Sequence, residues 1–301
     1  MLGLYPVSPE AQVEWGVVAI LVHGGAGHWA SEDRTLAVAG VARAASVGWR
    51  VLADGGSALD AAVEAVVALE DDPLFNAGTG SVLNADGDVE MDASVMAGDT
   101  LAAGGVACIR RVRNPVLVAR RVMQATDCVL LAGPAAAAFA REQGFGDHDP
   151  GLPRALRKAT GVGTVGAVAL DGAARLAAAT STGGRAGKRA GRVGDSPIPG
   201  AGNYASALAA VSATGWGEQM LRCVTAKDVA ERVARGAMPQ QALREVLDDM
   251  ARRFGEPVGA IALDARGNLG VVHGTEAMPH AWRCTGEPEV TARFAAGRIP
   301  A

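Results

Sequence analysis

The sequence predicts an α+β fold, a four-layer αββα sandwich, in one domain spanning residues 1–301. Three observations carry that expectation. In each half, apolar strands are followed by helices and then by strands, where alternating βαβ units would imply a parallel sheet. Alanine, valine and leucine dominate, with 40 glycines and 4% aromatic residues, a composition suited to closely packed layers and unlike a disordered chain. At 301 residues the chain can bury a substantial core.

The elements follow in order. Val17 to Val22 reads as a buried first strand running into His23-Gly24-Gly25-Ala26-Gly27. Arg34 to Leu52 carries apolar residues at helical spacing and stops at Asp54-Gly55-Gly56. Ser57 caps a second helix, Ala58 to Glu70, with Asp60 placed to serve its N-terminus. Leu69 to Gly80 reads as a structured loop. Short strands at Ser81 to Leu83 and Val89 to Met96 flank the turn Asn84 to Gly87, and Ala102 to Ile109 is another strand. Asn114-Pro115 starts a helix running to about Gln124, with Asn as cap and Pro in the first turn. Cys128 to Leu131 and Pro134 to Gln143 add a strand and a helix. After a stretch without periodicity, Gly144 to Val162, a hairpin pairs Thr164–Leu170 with Arg175–Thr182 across Asp171-Gly172. Glycine-rich loops fill Gly183 to Gly202. A strand over Ala207–Ser212, helical segments through Met220–Arg235 and Gln240–Phe254, and a last hairpin of Gly259–Leu263 with Leu269–Val272 complete the chain.

Composition excludes several functions. The net charge is −4, from 28 basic and 32 acidic residues, so no electrostatic footprint for nucleic acid is present. Arg110, Arg111, Arg113, Arg120 and Arg121 cluster without interleaved aromatics and read as a solvated helix face. Cys108, Cys128, Cys223 and Cys284 form no CxxC pair, as expected of reduced, mostly buried thiols. The first residues lack a basic n-region, and the apolar run at 17–22 is too short for a signal or a membrane span. A cytoplasmic protein without membrane partners is expected.

Two familiar patterns fail on context. Gly161-x-Gly163-x-x-Gly166 matches GxGxxG but leads into a strand, where dinucleotide binding requires a helix. Gly183 to Lys188 approaches a phosphate loop, one residue short and with Arg189 where Ser or Thr belongs. His23 reads as a general base or as a ring hydrogen-bonded beneath its loop, and no His-Asp pair or GxSxG elbow accompanies it.

What remains is organised around Thr164, reached through Gly163, which has no Cβ and tolerates strain or close approach. Cutting the Gly163-Thr164 bond would free a hydroxyl nucleophile whose own α-amine is its base. That amine has an ordinary pKa of about 7.7–8.0 and is partly neutral near pH 7. In Gly191-Arg192-Val193-Gly194-Asp195-Ser196-Pro197, Arg192 suits an α-carboxylate and Asp195 an α-ammonium, unless the two form a mutual ion pair.

On these motifs, from His23-Gly-Gly-Ala-Gly27 to Thr275-Glu-Ala-Met278, the chain resembles the plant-type (type 2) asparaginases and isoaspartyl peptidases, N-terminal-nucleophile (Ntn) threonine hydrolases. The resemblance implies self-cleavage into 1–163, with a linker over about 144–163, and 164–301. It gives Asn76 a place near the cut beside Gly163 and Thr164, although a turn asparagine would look the same. Thr182 would hydrogen-bond the Thr164 hydroxyl, and Thr214 and Gly215 would serve as oxyanion donors. Gly217 would join Arg192 and Asp195 in holding substrate, and Trp216 would narrow the leaving-group side.

Further implications are a structural sodium ion on the backbone of Leu69, Glu70, Asp72, Phe75, Ala77 and Thr79, no cofactor for catalysis, and a dimer of αβ units. The substrates implied are L-asparagine and β-aspartyl dipeptides. Rival readings are a glycosylasparaginase acting on glycosyl-asparagine and an uncleaved, non-catalytic amino-acid-binding protein.

Overall fold

The computed structural model describes residues 16–149, 163–256 and 258–295. The first half comprises β1 (Ala19–His23), α1 (Arg34–Ala53), α2 (Ala58–Glu70), β2 (Met91–Ala97), β3 (Ala103–Ile109), α3 (Pro115–Ala125), β4 (Leu130–Ala132) and α4 (Gly133–Glu142). The second comprises β5 (Val165–Leu170), β6 (Leu176–Thr182), β7 (Asn203–Ala205), β8 (Ala209–Thr214), α5 (Gly217–Cys223), α6 (Thr225–Ala234), α7 (Pro239–Phe254), β9 (Gly259–Asp264), β10 (Leu269–His273), β11 (His280–Cys284) and β12 (Thr291–Arg293).

The result is a mixed α+β architecture with two sheets. One has eight strands in the order β12-β11-β1-β5-β6-β2-β3-β4, and the other four in the order β10-β9-β8-β7. Every ladder is antiparallel except β3 with β4. β1, β5 and β6 are buried at every position, which explains why they read as continuous apolar runs rather than as alternating ones.

Three apolar clusters hold these parts together. The largest joins α1 to α4 to the eight-stranded sheet and includes Ile20, Val41, Val66, Phe75 and Val165. A second joins α5, α6 and α7 to the four-stranded sheet through Met220, Val229, Leu243 and Val246. The third lies where β1, β5 and β6 meet β8, β9 and β10, with Leu21, Val168, Leu176, Ile261 and Leu263. Residues Ser31–Ala53 are long and apolar enough, at mean hydropathy 1.3, to cross a membrane by length and composition. In this fold α1 packs on α2, β1 and β11.

Most expected elements appear within a residue or two. Ser57 caps α2 by accepting the Asp60 N–H, as expected of serine at that position. Four expectations change. Ser81–Leu83 contributes only an isolated Leu83–Val89 bridge. The helical stretch at 220–235 breaks at Val224, whose φ of 51° is left-handed. Strands β7, β11 and β12 were not anticipated: β7 and β12 have three residues each, and β11, His-Ala-Trp-Arg-Cys, lacks an apolar run. Asn114 does not cap α3 with its side chain, which donates to Asp71 instead. Glu70 accepts the Val116 N–H at 3.0 Å in its place, and burial pushes its carboxyl up to about 8.

Gly166 lies in β5, so the GxGxxG pattern has no helix where it needs one; Gly161 and most of the expected linker lie outside the described residues. The arginine cluster is spent on surface partners: Arg110 on Asp88 and Glu90, Arg111 on Asp147, Arg113 on Asp71, Arg120 on Asp60 and Arg121 on Gln143. The cysteines are free, but only Cys108 is fully buried; Cys128 is exposed, which corrects the expectation of mostly buried thiols.

Candidate active site

A cavity of about 370 Å³ opens where β5 begins. Gly163, Thr164, Thr182, Arg192, Asp195, Gly215 and Trp216 all line it, so residues spread over more than fifty positions converge there. The β5–β6 hairpin brings Thr164 and Thr182 to the same end of the sheet, with Val165 opposite Ser181 in the register.

Gly163 has φ 86°, and a Cβ there would stand 2.3 Å from Gly25 Cα and 2.8 Å from the Ala26 nitrogen. Only glycine satisfies both demands. The His23-to-Gly27 loop therefore braces the Gly163-Thr164 bond through backbone contact. His23 itself is buried in β1 opposite Gly166 of β5. Its Nε2 pairs with the Ser212 hydroxyl at 2.8 Å, and Ser212 pairs with Thr180 at 2.8 Å. That pair occupies the space a side chain at Gly166 would need, since a Cβ there would lie 1.9 Å from Ser212 Oγ. Burial, then the nearby His280, hold the His23 ring down to about 3, so it stays neutral. Of the two readings of His23, the buried hydrogen-bonded ring is the one present.

The Thr164 hydroxyl lies 3.3 Å from the Ser196 hydroxyl. The Thr164 N–H donates to Thr214 Oγ1 at 3.2 Å, and Ala26 N–H donates to the same oxygen at 3.3 Å. Thr214 thus sits immediately behind the Thr164 amide. Gly215 follows at φ 133°, a backbone conformation that favours glycine. Thr182 Oγ1 accepts the Gly184 N–H at 2.9 Å, and the hydroxyl bonded to that of Thr164 is Ser196's. Ser196 was overlooked, although it adjoins Asp195 in the most legible motif of the chain.

Arg192 and Asp195 share the cavity wall without forming an ion pair with each other. Arg192 is held side-on by Glu218, with Nε to Oε1 and Nη2 to Oε2 both at 2.9 Å. This bidentate fork was not foreseen; Glu218 lies 26 positions away, and its side chain is brought in by the first turn of α5. Asp195 is buried, and its Oδ2 has no hydrogen-bond partner. Burial pushes its carboxyl up to about 7, against the pull of Arg192. A buried carboxylate oxygen without a partner is a costly arrangement, and this one lies against Gly202, where a Cβ would stand 2.6 Å from it. Gly217 opens α5 directly behind both residues: a Cβ there would lie 2.7 Å from Asp195 Oδ1 and 2.8 Å from Arg192 Nη2. Beneath the loop, Asp92 accepts the Cys108 N–H at 2.7 Å and the Gly194 N–H at 3.5 Å, and Lys188 donates to the Glu90 carbonyl.

Two groups of expected residues stand apart from the cavity wall. Asn76 spends Nδ2 on the Gly184 carbonyl at 2.6 Å and Oδ1 on the Val82 N–H at 3.1 Å, tying its loop to the end of β6. The loop from Leu69 to Gly80 curls so that carbonyls crowd its glycines. A Cβ on Gly80 would lie 2.0 Å from the Phe75 oxygen and 2.6 Å from that of Pro73, and one on Gly78 would lie 2.5 Å from that of Glu70. Such a carbonyl-rich curl suits a hard cation held by backbone oxygens. No side-chain metal cluster occurs among the described residues.

The family described as Asparaginase matches residues 16–157 and 147–291. The plant-type L-asparaginase of Pyrococcus abyssi is 44% identical over 309 aligned positions, covering 91% of this chain and 99% of its own. That of Pyrococcus furiosus is 45% identical, with the same coverage. The isoaspartyl peptidase/L-asparaginase of Rattus norvegicus is 41% identical, covering 92% of this chain and 89% of its own. With matches across nearly all of its length, the chain belongs to the asparaginase family.

Proposed function

We propose that this protein is an autoprocessed threonine hydrolase that releases aspartate from L-asparagine and from β-aspartyl dipeptides, the activities for which its relatives are named. The observation that carries the reading is the shared cavity, with the Thr164 hydroxyl on the same wall system as Arg192 and the orphaned Asp195 carboxylate.

Maturation begins when Thr164 Oγ1 adds to the Gly163 carbonyl. The C–N bond breaks and an ester forms; water then cleaves the ester, leaving a Gly163 carboxylate and a Thr164 α-amine. In the mature enzyme that amine takes the hydroxyl proton. The oxygen attacks the substrate's side-chain carbonyl, and the nitrogen departs protonated as ammonia or as an amino acid. Water releases aspartate from the β-aspartyl ester and restores Thr164. Thr214 and Gly215 stabilise the oxyanion, Ser196 and Thr182 orient the nucleophile's surroundings, and Arg192, Asp195 and Gly217 hold the amino-acid head. The three apolar clusters support a four-layer αββα sandwich of the Ntn type for this scaffold. A sodium ion would sit on the carbonyl-lined loop of Leu69, Glu70, Asp72, Phe75, Ala77 and Thr79 and stiffen it, and αβ units would pair as dimers.

Intact mass and N-terminal sequencing after prolonged incubation, with ammonia release from asparagine, test the reading. Two fragments, the second starting at Thr164, together with ammonia release are expected. One uncut, inactive chain would overturn it.

Two further results are expected. Substrate ammonium needs ionised Asp195, whose proton is held up to about 7 in the free protein. Hence kcat/KM for asparagine rises as pH increases from 6 to 8. The stability sign is opposite: a raised folded-state pKa stabilises at low pH, and that contribution is lost as pH climbs through about 7. Unliganded Tm therefore falls over the same range, and added aspartate offsets the fall; a flat profile in both measurements would contradict this role. Gly217→Ala forces a methyl group between Asp195 and Arg192, so steady-state kinetics should show kcat/KM lower by about 10- to 100-fold.

A further inference from the structure

Arg185, a cation on the cavity wall, has no use in the scheme above. Arg185 follows the end of β6 and lines the same cavity as Thr164. Its guanidinium carbon lies 4.3 Å from the centroid of the Trp216 ring. Its Nε is buried without a hydrogen-bond partner. Its one ion-pair neighbour among the described residues, Glu218, stands 3.6 Å from Nη2, beyond hydrogen-bond reach, and both Glu218 oxygens are committed to Arg192 at 2.9 Å. The side chain is 41% exposed, with the indole covering one face. Arg185 is thus a stacked, oriented cation with donors to spare.

We infer that Arg185 and Trp216 form a leaving-group subsite that binds the carboxylate of a departing amino acid. The inference rests on the hydrolase reading above and deepens it. If Arg192 and Asp195 hold the aspartyl head, the group beyond the scissile amide must lie elsewhere along the same cavity. In a β-aspartyl dipeptide that group ends in its own carboxylate, an anion for which a guanidinium is the matching partner. Asparagine releases ammonia and offers nothing there. Glu256 also lines the cavity and adds an opposing charge, and with Arg192 given to the aspartyl head, Arg185 is the cation left for a second anion. Trp216, 36% exposed, fixes the plane of the guanidinium. The arrangement favours dipeptides with a free terminal carboxylate over both asparagine and dipeptide amides.

The test compares isoaspartyl-leucine, its C-terminal amide and L-asparagine, with rates expressed per free Thr164 amino terminus. For the unaltered protein, kcat/KM should be highest on the free-acid dipeptide. In Arg185→Gln the ratio of kcat/KM for the free acid to that for asparagine should fall by about 10- to 100-fold, and the preference for acid over amide should vanish. Arg185→Lys, which retains charge without the fork, should lie between, and it serves if the glutamine variant fails to mature. Equal losses on all three substrates would overturn the subsite, since Arg185 would then act through Glu218 and Arg192. An unaltered protein that cleaves the amide as well as the acid would overturn it while leaving the hydrolase reading intact. One that cleaves none of the three would remove both.

Discussion

Thr164→Ala should remain a single chain of 301 residues under conditions in which the unaltered protein yields two fragments, and it should lose activity by about 10⁴-fold or more. The size of the effect follows from Thr164 holding two roles at once. Its hydroxyl is the attacking group in both steps, and its nitrogen becomes the base for the second. Alanine keeps the backbone N–H bonded to Thr214 and leaves β5 unchanged, so folding should survive. Mass spectrometry reads the cut, and ammonia release reads the turnover. Thr164→Ser retains a hydroxyl and should restore part of both. A processed, active alanine variant would remove Thr164 from the chemistry.

The second large effect is expected at Arg192. Truncation to alanine takes away the cation proposed for the substrate carboxylate and also leaves Glu218 without its bidentate partner. A loss of roughly 10²- to 10³-fold in kcat/KM is expected, carried mainly by KM, because in the proposed mechanism the guanidinium holds the substrate's head and not the reacting carbon. Arg192→Lys keeps the charge but cannot fork onto Glu218 and present a second edge together, so it should recover little. Titration with aspartate separates binding from turnover: unchanged aspartate affinity in the alanine variant would contradict the assignment.

The legible parts of this chain were those fixed by local chemistry. Ser57 followed by Asp60 announced the start of α2, and the Asp171 turn announced the β5–β6 hairpin. Thr164, Arg192 and Asp195 were singled out from their local motifs, and the fold brings all three to one cavity. What escaped depends on long-range meetings. β11 is a mixed-polarity segment that becomes a strand only because β1 offers it an edge. Glu218 looked like an ordinary first-turn acid of α5 until the loop folded Arg192 against it. The cap of α3 arrives from Glu70, at the end of α2, and no local rule announces a cap from 46 positions away.

The order of the eight-stranded sheet has a consequence for the cut proposed at residue 163. β1 belongs to the first piece, yet it is hydrogen-bonded on both sides by strands of the second, β11 and β5. β2, again from the first piece, continues the ladder from β6. The two products are therefore interleaved, like fingers of clasped hands, and scission leaves nothing free to diffuse away. Once melted, however, the pieces must find each other again in solution, and β1 must thread between two strands that would otherwise close on one another. The uncut precursor can refold as a single molecule at any dilution. Maturation by the proposed cut would turn the same architecture into an assembly made once, whose durability is governed by how slowly it opens.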